Sequence, residues 1–138
     1  MIDEIAIQQL LNAYSEGAST ANWDQVLSTF LPDAIWEVPV MKLHFQGHAA
    51  MLPVMSGFVA QMKYFVQLNS PAIITVNGDK ATARSTIREC GKFADRDEAM
   101  EVFGFYQDEL VRTSEGWKFT RRSFHPAGRH SYALLPGE

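Results

Sequence analysis

The sequence predicts a single α+β domain, helices leading and an antiparallel meander following. Three observations carry that expectation: apolar residues recur at helical spacing only in the N-terminal part, four β-rich stretches fill the rest, and turn residues separate those stretches. The chain has 138 residues, about one domain's worth. With 46% hydrophobic and 12% aromatic residues it can support a core and an internal pocket.

Ile7, Leu10, Leu11 and Tyr14 form the first helical stripe, which runs out near Gly17. Trp23, Val26, Leu27, Phe30 and Leu31 form the second, with Asn22 as N-cap, Gln25 three residues on, and Pro32 ending the helix. The stretches 34–38 and 43–46 predict a small hairpin ending at Gly47. A third helix is expected over about residues 49–62, with Pro53 in its first turn. The β-rich segments then run over about 64–76, 80–93, 99–113 and 117–125, with a bend expected at Asn69-Ser70-Pro71. Residues 126–138 read as a C-terminal tail, which leaves an ordered core of about 5–125.

Charge and cysteine content exclude several classes of function. Twelve basic and sixteen acidic residues give a net charge of −4 without long runs of either sign, so nucleic acid is not an expected partner. The single Cys90 excludes an intramolecular disulfide and a thiolate metal cage. No apolar run reaches the roughly 18 residues of a membrane span, and the first residues lack a signal-peptide pattern, so no membrane partner and a cytoplasmic location are expected.

Hairpin arithmetic suggests which side chains meet. A two-residue Asn77-Gly78 turn sets Gln67 opposite Arg88 and Phe65 opposite Cys90; a bulge near Pro71 shifts that register by one. A three-residue loop at Ser114 to Gly116 sets Tyr106 opposite Phe124, Asp108 opposite Arg122, and Glu109 opposite Arg121. Arg88 either anchors an oxyanion in a pocket beside Gln67 and Cys90, or faces solvent on the outer side of the sheet. Of the four histidines, His44, His48 and His130 read as surface or capping residues, while His125 is placed at the pocket mouth. His44 and His48 have i, i+4 spacing but straddle Gly47, so no metal site is expected.

The stretch from Tyr14 to Trp36, with "NWDQVLSTFLPDAIWE", resembles the opening of SnoaL-like domains, and "NGDKATARS" and "YQDELVRTSEGWKFTRRSF" resemble that family's strand hairpins. The resemblance covers about residues 5–125. It implies the cone-shaped fold of the nuclear transport factor 2-like superfamily: a bent antiparallel sheet wrapped around three helices, a pocket at the open end, and homodimers through the sheet. It also implies cofactor-independent lyase, isomerase or cyclase chemistry on a small hydrophobic substrate, aromatic or polycyclic ones included, since the family's members include polyketide cyclases, dehydratases, dehydrohalogenases, epoxide hydrolases and ketosteroid isomerases. The family's Asp/His dyad falls on Ser19 and Gln67, neither of which is a base near neutral pH. The expected catalytic groups are therefore Arg88, Asp108 and Tyr106, with a substrate-binding wall of Tyr14, Trp23, Trp36, Phe58, Phe65, Gln67, Cys90, Phe124 and His125. The alternative is a non-catalytic module that binds a small molecule or dimerises.

Overall fold

The computed structural model describes residues 1–138. Helix α1 (Ile2–Ser19) buries Ile7, Leu11 and Tyr14, the stripe that the spacing predicts, and packs them against the sheet. Each such side chain contributes on the order of 1.5–3 kcal/mol by leaving water. Helix α2 (Trp23–Ser28) starts at Asn22, whose side chain accepts the Gln25 backbone N–H at 3.2 Å.

The second helix is shorter than expected. Strand β1 (Phe30–Val38) begins before Pro32, because Phe30 already pairs with Phe119 of the last strand and the Thr29 carbonyl accepts the Phe119 N–H at 2.8 Å. Pro32 falls in the irregular stretch between Phe30 and Ile35, where the ladder needs no N–H from it. A 3-10 turn (Pro39–Met41) joins β1 to β2 (Leu43–Gln46), and α3 (His48–Ala60) follows Gly47 directly. That early start puts Pro53 in the second turn of α3, not the first.

Strands β3 (Met62–Asn69), β4 (Ile73–Asn77), β5 (Lys80–Phe93), β6 (Glu98–Thr113) and β7 (Gly116–Ala133) complete a curved, unclosed seven-stranded sheet in the order β2-β1-β7-β6-β5-β3, with β4 also paired to β5. Five of the six strand pairings are antiparallel; β1 with β7 is parallel. The chain breaks at Ser70-Pro71, so β4 covers the first half of β5 and β3 the second. The expected tail is mostly strand: β7 runs eight residues past His125 to Ala133, and a one-residue bulge at Ala127 absorbs the Pro126-Ala127-Gly128 stretch that reads as a breaker. The helices and the concave face of the sheet enclose one core, so the fold is the α+β cone of the nuclear transport factor 2 type.

Candidate active site

Strict alternation along β5 buries Ala81, Ala83, Ser85 and Ile87 on the concave face, and the same period brings Glu89 to that face. Glu89 enters the wall of a cavity of about 320 Å³ between the helices and the sheet. Seventeen of the 21 lining residues are hydrophobic, and Glu89 is the only carboxylate among them. Burial raises its pKa above the ordinary 4.5, and a hydrogen bond from Gln67 pulls the other way.

Gln67 holds Glu89 in place. The Ser15 hydroxyl donates to Gln67 Oε1 at 2.9 Å, which turns the amide nitrogen towards Glu89 Oε1 at 2.8 Å. The Gln67 backbone N–H donates to Ser19 Oγ at 2.9 Å. The two positions onto which the family's dyad falls are thus in contact, and both serve as neutral hydrogen-bonding groups.

A second polar cluster lies in the same cavity. The Tyr14 and Tyr106 hydroxyls are 3.1 Å apart, and Trp36 Nε1 donates to the Tyr106 oxygen at 3.3 Å. Trp36 itself stacks on Phe45 across the β1–β2 pair, with ring centroids 5.9 Å apart. Arg122 lies behind the tyrosines, its Cζ 3.8 Å from the Tyr106 ring centre and 4.3 Å from that of Tyr14. Burial raises both phenol pKa values, Tyr106 well above 10.0, against the pull of the Arg122 charge. Both phenols therefore stay protonated near neutral pH. Whichever hydroxyl donates to the other, one phenolic O–H is left free to donate to a ligand oxygen.

Of the residues expected from the sequence, Tyr14, Trp23, Trp36, Phe58, Phe65, Gln67, Tyr106 and Phe124 line this cavity. The Phe124 ring packs against Gly104, where an added Cβ would come within 2.6 Å of the ring and 2.7 Å of the His125 carbonyl oxygen, so a glycine is required there. Four residues are placed elsewhere. Asp108 is paired with Arg122 as the hairpin predicts, by two hydrogen bonds of 2.9 and 3.2 Å, but both side chains have zero exposure and sit beneath the tyrosines, outside the wall. Arg88 and Cys90 lie on the convex face, where Arg88 pairs with Glu101 at 2.8 Å. His125 lies opposite the exposed Phe105, also outside the wall.

The displacement of Arg88 and Cys90 has a register cause. The two-residue turn is Gly78-Asp79, closed by Asn77 with Lys80 and using Gly78 at φ 64, and the break at Ser70-Pro71 takes one residue back. Gln67 consequently faces Glu89 instead of Arg88, and a one-residue slip exchanges the faces. Glu89 was missed for this reason, although the alternation from Ala81 to Ile87 extends to it. Ser15 and Arg129, the latter also in the cavity wall, carried no comparable signal.

The fold is shared with solved structures. A protein of Novosphingobium aromaticivorans provisionally named an aromatic ring hydroxylase is 29% identical, with a TM-score of 0.84 over 96% of this chain and 94% of that one. A protein of the same species provisionally named a scytalone dehydratase is 20% identical, with a TM-score of 0.86 over 99% and 95%. The hexachlorocyclohexane dehydrochlorinase LinA-type3 of Novosphingobium barchaimii LL02 is 19% identical, with a TM-score of 0.81 over 97% and 90%. The profile of the SnoaL-like domain matches residues 1–123, and with that match over most of its length the chain belongs to the SnoaL-like domain family.

Proposed function

We propose that this protein is a cofactor-independent enzyme of the lyase or isomerase type that moves a proton on a small hydrophobic, ring-containing substrate. The observation that carries this reading is Glu89, the one carboxylate, with a raised pKa, in a predominantly apolar wall. Glu89 takes the proton from a carbon next to a carbonyl, and the electron pair moves onto the carbonyl oxygen. The free phenolic O–H of the Tyr14–Tyr106 pair donates to that oxygen as it becomes negative. Return of the proton to another carbon gives isomerisation; loss of a β-substituent gives elimination. Similarity to proteins named as a dehydratase and a dehydrochlorinase supports the second outcome. Tyr106 stays in the catalytic set expected from the sequence and, with Tyr14, takes the oxyanion role that was expected of Arg88, while Glu89 supplies the base.

Proton exchange tests this without knowledge of the substrate. Cyclic ketones incubated in D2O with the protein should lose α-proton NMR signal, and Glu89→Gln should slow the loss by about 10²-fold or more. Exchange at the wild-type rate in Glu89→Gln would overturn the assignment. The neutral dyad positions, Ser19 and Gln67, favour a second reading, a small-molecule-binding module. Ligand binding with no exchange on any ketone would support that one instead.

A further inference from the structure

Arg129 is the only cation in the cavity wall, and a backbone irregularity puts it there. Along β6 and β7, Gly104 pairs with Pro126 and Phe103 with Gly128, so Ala127 is an extra residue on β7. Without that bulge, Arg129 would fall opposite Glu101 on the convex face, and a bulge reverses every side chain beyond it. With it, Arg129 pairs with Val102 on the cavity side, while His130 takes the convex side with its ring 5.7 Å from that of Phe103.

Glu89, Val102 and Arg129 thus form one row across three neighbouring strands. Their outer members have Cα atoms roughly 10 Å apart, two strand spacings. Five of the seven arginines, Arg88, Arg96, Arg112, Arg121 and Arg122, are ion-paired; Arg84, on the convex side of β5, and Arg129, exposed at the cavity rim, form no ion pair and no side-chain hydrogen bond, and of these two only Arg129 reaches the cavity. A guanidinium that is free at the edge of an apolar cavity matches a carboxylate by geometry and charge.

We propose that Arg129 determines specificity by anchoring the carboxylate of an apolar, ring-sized oxo acid, whose carbonyl-activated C–H is presented to Glu89 at the other end of the row. This rests on the acid-base reading of the cavity. The substrate class is then narrower than a hydrophobic ketone: one anionic end, one ring-sized body and one activated C–H.

Calorimetric titration of the full chain with 2-naphthoate and with its uncharged methyl ester at pH 7.5 tests the anchor. The wild type should prefer the acid by about tenfold or more, the effect expected of a hydrogen-bonded charge pair. Arg129→Gln should abolish the preference, and Arg129→Lys should retain part of it. Equal affinities, no binding of the acid, or a preference that survives Arg129→Gln would overturn the proposal. Neither probe has an activated C–H, so these affinities are independent of the exchange assay: Glu89→Gln exchanging at the wild-type rate would remove the base while leaving the Arg129 result standing.

Discussion

Glu89 is the residue at which chemistry and stability oppose one another. Burial favours its neutral form, so between the ordinary glutamate value of 4.5 and its raised value the native state binds more protons than the unfolded chain. Stability contributed by this group is therefore fully present below about pH 4.5 and lost as pH rises through the raised value. Base catalysis runs in the opposite sense, since only the ionised form accepts a proton. Glu89→Gln, which keeps the size and can still accept from Gln67, should thus raise the melting temperature at pH 7.5 and leave it unchanged at pH 4, while slowing exchange. A melting temperature at pH 7.5 that is unchanged or lower would show that the carboxylate is not held at an energetic cost. The wild-type exchange rate, for its part, should climb with pH through a midpoint above the usual carboxylate range.

At the scale of elements, the β6–β7 hairpin supports the site from behind. The Asp108–Arg122 pair has zero side-chain exposure, and three aromatic rings, those of Tyr14, Tyr106 and Phe119, surround the guanidinium. Asp108→Ala leaves an uncompensated buried cation and should cost about 3–5 kcal/mol in urea unfolding, whereas the double variant Asp108→Leu with Arg122→Met should recover most of it. A loss under about 1 kcal/mol for Asp108→Ala would contradict this. That pairing was legible in the sequence, for a reason only partly correct: the hairpin has a two-residue turn at Ser114-Glu115 and a bulge at Thr120, which together insert as many residues as the expected three-residue loop. The α1 stripe and the Asn22 cap were legible because they depend on local spacing, whereas the end of the second stripe, Phe30 and Leu31, was claimed by the long-range pairing of β1 with β7. The β3–β5 register and the Ala127 bulge were not, because single-residue offsets have no period of their own and are fixed by long-range pairing. The candidate site was accordingly half legible: its apolar wall and Tyr106 were found from alternation and resemblance, while both charged groups of the cavity row were missed.

For the whole molecule, what remains is the convex face of the sheet: the resemblance implies homodimers through the sheet, and we propose this face as the one that pairs. Tyr64, Val66, Leu68, Phe105 and Tyr132 are 39–54% exposed and lie on β3, β6 and β7, with Arg88, Cys90 and Glu101 between them. Isolated exposed apolar residues are ordinary, but this many on one sheet face form a patch that a two-fold axis can cover with itself. A stable pair needs about 800 Å² from each partner, which requires the face to be used across several strands. Leu68→Glu with Phe105→Glu places four like charges in such an interface. Light scattering at 20 µM should then shift from a mass near twice 15.5 kDa to 15.5 kDa. A monomeric wild type at that concentration would overturn the pairing. The cavity opens on the opposite side of the sheet, and neither residue lines it, so the monomeric variant should keep Glu89-dependent exchange. Loss of exchange together with the dimer would instead show that pairing through the convex face sets the curvature that brings Glu89, Val102 and Arg129 into one row.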